Sequence, residues 1–348
     1  MKNRDYKDIT KKNVDIKNSN QKKRRLEEVL LEFSRITNDN TASILPRSEY
    51  EEAESYYNYI YKNINNSDFN ITDITILASN PNLNKIIGNN YETNAKFGLF
   101  LSALINKNIK NEVEVQLNIQ IPIHYLFYKL ENAKAHVNIA GDYLGRESKN
   151  SVISTNQAGD TAGLEMQGCE LYVKKAGKYL GNSAKNSKIY ADEAEYVAGP
   201  YIEGCELHVK KASDYLGYEA KNSKIYADEA GYQSGKFIEK CELYVNKAGD
   251  ELGFGAKKST IFAEKAGNNA GRYMRNSKLS IYKLKGKLNS SCFKENNEIY
   301  LGEESYKKHP LKYRLKGVKI LKEKTLERYE MQFLQITTMN LNNLINKI

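Results

Sequence analysis

The sequence predicts a mainly β protein built on a parallel β-helix of about eight to nine 18-residue coils. A helical N-terminal region precedes the β-helix and a C-terminal helix follows it. Three observations predict this fold. Alanine and glycine recur with a strict 18-residue period, apolar and polar residues alternate within each unit, and the sizes of two apolar positions vary in a compensating way.

The repeat dominates the middle of the chain. A glycine follows each repeating alanine after five residues, and the residue directly after the alanine is glycine in all units except those with Glu195 and Ser213. A unit of this length is too short for a helix pair and too long for a hairpin, but it suits one coil of a solenoid whose equivalent residues stack about 4.8 Å apart. The repeating alanines are Ala140, Ala158, Ala176, Ala194, Ala212, Ala230, Ala248 and Ala266.

Each unit begins with a strand-like alternation. With Cys169 counted as position 1, positions 1, 3 and 5 are small or apolar, whereas positions 2, 4 and 6 are Glu170, Tyr172 and Lys174. A period of two predicts a strand with one buried face. The glycines further along the unit allow the chain to turn corners with positive φ.

Positions 12 and 16 compensate each other in size. When one residue is large its partner is small, in all eight units, which is expected if each unit fills one core layer of constant volume. The pairs are Leu144 with Ser148, Ala162 with Met166, Leu180 with Ala184, Ala198 with Ile202, Leu216 with Ala220, Ser234 with Ile238, Leu252 with Ala256, and Ala270 with Met274.

Charges at positions 2 and 7 change sign from one unit to the next. In a parallel stack each charge lies beside its equivalent in the next coil, so alternation replaces repulsion with ion pairs. We interpret these columns as structural. Position 2 has Glu170, Lys188, Glu206, Lys224 and Glu242, and position 7 has Lys175, Glu193, Lys211, Glu229 and Lys247.

The units AGDYLGRESKN (140–150) and AGDELGFGAKKSTIFAEKAGNNAG (248–271) resemble the GXGXG repeat. That repeat forms the C-terminal β-helix of glutamate synthase large subunits and the β-helical C chain of formylmethanofuran dehydrogenase. The resemblance covers about 133–284 and implies a right-handed β-helix that joins or docks catalytic modules without doing chemistry itself. The known family favours glycine beside the strands, where this chain has Asn150, Lys185 and Ser187.

The chain divides into four predicted regions. Residues 1–25 form a basic, disordered arm with 10 basic and 3 acidic side chains, 26–132 a mostly helical region and cap, and 133–284 the β-helix. Residues 285–348 form a basic C-terminal region, in which 324–348 is predicted to be an amphipathic helix that covers the open end of the solenoid or pairs with another chain. The net charge of +10 comes mainly from the segment 277–348, with 15 basic and 7 acidic side chains.

The candidate partner-binding residues are the position 4 column of aromatic side chains. We expect this outward ladder to stack between coils and to dock a partner or, as a weaker alternative, to stack on bases or sugars. The column comprises Tyr172, Tyr190, His208, Tyr226 and Tyr244.

The sequence contains no recognisable catalytic motif. Cys169, Cys205 and Cys241 share a column two coils apart, about 9.6 Å, which suits neither a disulfide nor a zinc site and predicts a core role. We expect no cofactor and no metal. The mean hydropathy of -0.67, the lack of a long apolar run and the lack of an apolar N-terminal segment predict a cytoplasmic protein without membrane association.

These features favour a non-catalytic scaffold or protein-interaction module that binds a protein partner or another copy of itself. A nucleic-acid or anion binder working through basic residues 1–25 and 307–324 is the alternative. An unrecognised transferase is the third hypothesis, since left-handed β-helix acyltransferases have coils of the same length. Steep loss of binding with added salt distinguishes the second hypothesis from the first.

Overall fold

Twelve parallel strands stack in chain order to form a β-solenoid, with helices before it and a short helix near its C-terminal end. The structure is a computed structural model and describes residues 21, 23–37, 49–64, 69–80, 82–87, 90–108, 114–308 and 317–321. The predicted helix at 324–348 lies outside these residues, as does most of the predicted arm at 1–25.

The strands recur with an 18-residue period through the middle of the chain, and each pairs in register with its neighbours on both sides. They are β1 (Glu114–Leu117), β2 (Lys134–Ile139), β3 (Val152–Ala158), β4 (Glu170–Ala176), β5 (Lys188–Ala194), β6 (Glu206–Ala212), β7 (Lys224–Ala230), β8 (Glu242–Ala248), β9 (Thr260–Ala266), β10 (Lys278–Leu284), β11 (Glu298–Leu301) and β12 (Lys319–Ile320).

The mainly β fold and the 18-residue coil are confirmed, but the expected count of eight to nine coils is wrong, because the solenoid has about 11. One additional coil precedes the regular repeat. Its corner contains Phe127 at φ 59°, in the place that glycine takes in later coils, so it lacks the glycine that marks the repeat. The other additions follow β10, where Ser290–Phe293 forms a 3-10 helix and breaks the 18-residue spacing.

The core runs the length of the solenoid as one continuous apolar column. Every residue of the compensating pairs at positions 12 and 16 is buried, which confirms that each coil fills one layer. The charge columns also lie in the predicted register. Lys188 Nζ lies 3.4 Å from Glu170 Oε1, and Lys247 Nζ lies 2.6 Å from Glu229 Oε1.

Helices cover the N-terminal end of the solenoid. They are α1 (23–37), α2 (Glu49–Asn63), α3 (Ile71–Ala78), α4 (Leu83–Ile87) and α5 (Tyr91–Asn108). No helix among the described residues is both long enough and apolar enough to cross a bilayer.

Polar side chains of α5 satisfy the backbone of the first coil, which has no preceding coil to pair with. Ser102 Oγ donates to the Tyr125 carbonyl at 2.9 Å and accepts from the Tyr128 N–H at 3.2 Å. Asn106 Nδ2 donates to the Tyr128 carbonyl at 2.9 Å. Buried backbone groups without partners are costly, so these contacts stabilise an edge that otherwise invites another strand.

A short helix, α6 (Glu303–Lys308), likewise supplies a side chain that binds backbone groups near the C-terminal end of the solenoid. Ser305 Oγ accepts from the Leu284 N–H at 2.9 Å and donates to the Tyr282 carbonyl at 3.2 Å.

Candidate interaction surface

The predicted aromatic ladder at position 4 is stacked and mostly buried. Neighbouring ring centroids lie 4.9 Å apart for Tyr172 and Tyr190, and 4.6 Å apart for His208 and Tyr226, with interplanar angles of 6° and 16°. The five predicted residues are only 5–7% exposed. Stacking therefore occupies the ring faces and leaves ring edges and polar groups at the surface.

Flanking carboxylates bind polar groups of three ladder residues, Tyr172, His208 and Tyr244. Tyr172 Oη donates to Glu170 Oε2 at 2.6 Å, and His208 Nε2 lies 2.7 Å from Glu206 Oε1. Burial raises the pKa of Tyr226 to about 12 and lowers the pKa of His208, although the neighbouring Glu206 acts in the opposite direction on His208. The ladder is thus a stacked and largely buried column, which stabilises the sheet.

A different corner of the coil carries exposed aromatic side chains that the sequence pattern did not predict. Positions 10, 11, 14 and 15 of the coils from 169 to 240 place six tyrosines in one contiguous patch, which we call the tyrosine surface. Four of its members are 38–50% exposed, and the other two lie between them. The tyrosine surface consists of Tyr179, Tyr196, Tyr201, Tyr215, Tyr218 and Tyr232.

Edge-to-face contacts hold these rings in place. Tyr196 and Tyr215 have centroids 5.4 Å apart at 74°, Tyr215 and Tyr232 5.9 Å apart at 87°, and Tyr201 and Tyr218 5.5 Å apart at 86°. Such pairs contribute about 0.5–1.5 kcal/mol beyond area burial, so the rings are ordered before any partner arrives.

The backbone of this corner explains how the rings are presented. Residues at positions 11, 13 and 15 adopt positive φ, as in Tyr179 (59°), Gly181 (67°) and Ser183 (56°), while the residues between them do not. Hydrogen bonds run alternately to the two neighbouring coils, with the Tyr179 N–H donating to Tyr196 and the Gly181 N–H donating to Ala162. The chain is thereby fixed in both directions along the solenoid axis.

Aspartates at position 10 add a second set of contacts between coils. Asp160 Oδ1 accepts from the Lys178 N–H and Asp214 Oδ1 accepts from the Tyr232 N–H, both at 2.8 Å. A Cβ at the preceding residue of the donating coil would collide with the carboxylate, and for the second pair that residue is Gly231. The glycine after alanine is therefore required by the aspartate of the preceding coil.

This relation explains the two units that lack the glycine. Glu195 and Ser213 stand at position 9 of coils whose preceding coil has Lys178 or Tyr196 instead of aspartate. With no carboxylate in the way, a side chain fits. Gly249 follows a coil with tyrosine at position 10 and departs from the rule, because its added Cβ would meet the backbone of Gly231 at 2.8 Å.

A groove of about 740 Å³ adjoins the tyrosine surface. Its floor is formed by the ends of strands β3 to β6 and the small residues that follow them, and Tyr196 belongs both to the groove and to the tyrosine surface. Lys175, Glu193 and Lys211 give its lining a mixed charge.

The remaining candidate residues have structural positions. Cys169, Cys205 and Cys241 are buried, and each backbone N–H donates at 3.1 Å to a serine of the next coil: Ser187, Ser223 and Ser259. Burial raises the pKa of the Cys241 thiol to about 11. Within the described part of the chain, no three His, Cys, Asp or Glu side chains are grouped as a metal site.

The fold and this surface define a β-solenoid repeat protein with an exposed tyrosine-rich corner. Comparison with protein-family models, curated proteins and solved structures gives no match for the chain. The resemblance to the GXGXG repeat therefore remains a prediction from the sequence.

Proposed function

We propose that this protein is a non-catalytic scaffold that binds a protein partner through the tyrosine surface. The observation that carries the proposal is the contiguous exposure of Tyr179, Tyr196, Tyr201 and Tyr232 on one corner of the solenoid. Large exposed apolar patches are uncommon on monomeric proteins and usually mark interaction sites.

The chemistry of tyrosine supports a protein as the partner. Tyrosine is enriched at interface hot spots because it combines a large ring with a hydroxyl and loses little conformational entropy on binding. The edge-to-face contacts and the interlocked coils reduce that entropy loss further. The stacked ladder offers no equivalent, since its ring faces are already covered.

The adjoining groove supports the same location. Because Tyr196 lines both features, a protein segment that packs against the tyrosines can continue into the groove over the ends of β4 and β5. The alternating charges of Lys175, Glu193 and Lys211 suit a partner of mixed charge.

A GXGXG-type coil is part of this proposal. Positive φ at positions 11, 13 and 15 reproduces the spacing of three glycines in the motif name, and this chain keeps glycine only at the middle position in most coils. A scaffold role is what that resemblance implies. The alternative of nucleic-acid binding through 1–25 and 307–324 concerns residues that lie mostly outside the described ranges.

The test compares two variants by quantitative affinity purification from cells that contain the natural protein. Y196S/Y201S/Y232S removes three exposed rings of the tyrosine surface. Y61S/Y91S removes two tyrosines of similar exposure, 41% and 46%, in the helical region. We expect the first variant to recover about 30-fold less, or still less, of a stoichiometric protein partner than the unaltered protein does, as for the loss of hot-spot residues.

The control variant should retain the partner. Both variants are first compared with the unaltered protein by circular dichroism and thermal unfolding, so that loss of folding is not mistaken for loss of binding. Equal retention of every captured protein by the two variants contradicts the proposal.

A further inference from the structure

The last three regular coils, residues 223–276, carry more cations at one corner than the five coils before them do. Positions 14, 17 and 18 of these coils carry six cations, and the rings of Phe237, Phe254 and Tyr273 lie on the same coils. We call these six cations and three rings the basic end. Within the described ranges only one of the six has a carboxylate oxygen within 4 Å: Arg272 Nη1 lies 3.0 Å from Glu251 Oε1. The six cations are Lys236, Lys240, Lys257, Lys258, Arg272 and Arg275.

In the position 17 column, the cations of the basic end interrupt the alternation of charge sign between neighbouring coils. Residues of this column pair across neighbouring coils by β-bridges, and from Lys185 to Lys257 their signs alternate. The alternation ends where Lys257 pairs directly with Arg275. Like charges in adjacent coils repel, so this arrangement does not serve the stability of the solenoid.

The position 18 column departs from its pattern as well. All its residues have positive φ, and six of the eight regular coils have asparagine or glycine there. Lys240 and Lys258 instead adopt φ 53° and 49°. A lysine in this conformation costs roughly 1–2 kcal/mol relative to a residue that accepts it readily. Two lysines in neighbouring coils thus combine backbone strain with charge repulsion, and such violations concentrate at functional sites.

On the same coils a row of rings runs beside the cations. Phe237, Phe254 and Tyr273 form an edge-to-face series with centroids 5.3 Å and 5.4 Å apart, and Phe237 and Tyr273 are 42% and 52% exposed. Lys236 Nζ lies 5.4 Å from the Phe237 ring centre and 5.5 Å from that of Phe254. Rings occupy positions 14 and 15, and most of the cations follow at positions 17 and 18.

We propose that the basic end binds single-stranded nucleic acid. A row of cations beside a row of exposed rings matches what such strands require, because cations contact the phosphates while unpaired bases stack on aromatic side chains. A duplex buries its base faces and cannot use the rings. An acidic polypeptide can use the cations, but it has no aromatic bases to stack on Phe237 and Tyr273.

This site adjoins the tyrosine surface, since Lys236 Nζ lies 5.1 Å from the Tyr215 ring centre and the Tyr218 and Phe237 ring centres lie 6.2 Å apart. It does not rest on the scaffold proposal, because it uses different side chains and is tested with different variants. Both use the same physical design, in which the rigid coil fixes side chains at about 4.8 Å intervals along the axis. The two surfaces meet in the coil 223–240, which carries Tyr232 at position 10 and Lys236 at position 14.

The experiment measures fluorescence anisotropy of labelled oligo-dT and oligo-U of about 20 nucleotides, a length that exceeds the usual site size of one domain. The full-length chain is used, over a range of salt concentrations. K240N/K258N restores the asparagine found elsewhere in the column, so we expect it to fold at least as stably as the unaltered protein.

The loss of two positive charges in K240N/K258N has an effect on the salt dependence and the affinity of binding that can be calculated. If both lysines contact phosphates, K240N/K258N lowers the salt slope by about 1.4 and weakens binding about 25-fold at ~0.1 M salt. F237A/Y273A should weaken single-strand binding by about fivefold or more per ring. The matched control K188Q/K224Q removes two lysines from position 2 of the strand face and should leave binding unchanged.

Several results overturn the proposal. Absence of oligonucleotide binding does so, as does equal weakening by K240N/K258N and K188Q/K224Q. Weakening by the charge variant with no effect of F237A/Y273A, together with equally tight binding of polyglutamate, assigns the basic end to an acidic polypeptide. Binding that neither variant changes places the oligonucleotide on another part of the chain, such as the basic termini.

Discussion

The contact between Asp214 and Gly231 predicts that alanine at position 231 lowers the free energy of unfolding when Asp214 is present and raises it when Asp214 is replaced by alanine. Asp214 Oδ1 accepts from the Tyr232 N–H at 2.8 Å, and a Cβ at Gly231 would collide with that oxygen. The backbone atoms nearest to such a Cβ are 3.1 Å away, a distance that small shifts relieve. The carboxylate is therefore the main obstacle to a side chain at position 231.

The magnitude follows from the hydrogen bond. A hydrogen bond to a charged group contributes about 1.5–3 kcal/mol, and partial exposure of Asp214 reduces this, so we expect D214A to lower the free energy of unfolding by about 1–2 kcal/mol. G231A displaces the carboxylate and loses the same bond. Alanine also restricts the unfolded chain and recovers about 0.4–1 kcal/mol, which leaves a net loss of about 1 kcal/mol.

The double variant reverses the effect of alanine. In D214A the obstacle is absent, so adding G231A should raise the free energy of unfolding by about 0.5 kcal/mol instead of lowering it. Urea unfolding followed by circular dichroism measures all four proteins of the cycle. S213A serves as control, because Ser213 already has a side chain at the same position and should change stability by no more than about 0.5 kcal/mol.

The reasoning fails if G231A destabilises by the same amount in both backgrounds, since the collision with Asp214 is then not the reason for the glycine. It also fails if D214A leaves the exchange protection of the Tyr232 amide unchanged.

Three further predictions use the same coil geometry. K178D/E195G should raise stability by about 1 kcal/mol in urea unfolding because it creates the missing acceptor for the Tyr196 N–H, whereas K178D alone should destabilise. Burial lowers the pKa of His208, so its contribution to stability is present above the unfolded pKa of about 6.5 and is lost as pH falls towards the folded pKa. H208Y should therefore reduce the decrease in melting temperature between neutral and acidic pH, and an unchanged decrease contradicts this. Because burial raises the pKa of Cys241 to about 11 and all four cysteines are buried, a thiol reagent at pH 8 should label none in the native protein and four in guanidinium; rapid native labelling refutes this.

The regular coils are well predicted from the sequence because the same packing and charge interactions recur at equivalent positions of successive coils. The compensation between Leu180 and Ala184 and the alternation of Glu170 with Lys188 depend on neighbours one unit apart. The end coils do not follow these columns. Phe127 replaces the corner glycine, and the 3-10 helix at Ser290–Phe293 changes the spacing.

The tyrosine surface could not be found from the columns. Its rings move between positions 10 and 11 and between 14 and 15 from one coil to the next, so no single column is uniformly aromatic. The ladder from Tyr172 to Tyr244 is a uniformly aromatic column, so the sequence pattern predicted partner binding there instead. Only the path of the corner shows that Tyr201 and Tyr218 meet, at 5.5 Å.

The central claim is that the tyrosine surface is where a protein partner docks, and site-specific photocrosslinking tests it most directly. A photoreactive phenylalanine analogue is placed at Tyr201 on that surface, or at Lys224, an exposed residue of the strand face outside the groove, as the comparison. We predict that irradiation in cells joins one protein to position 201 and that Y196S/Y232S abolishes this product. Crosslinking of the same proteins from both positions, or of none from position 201, contradicts the account.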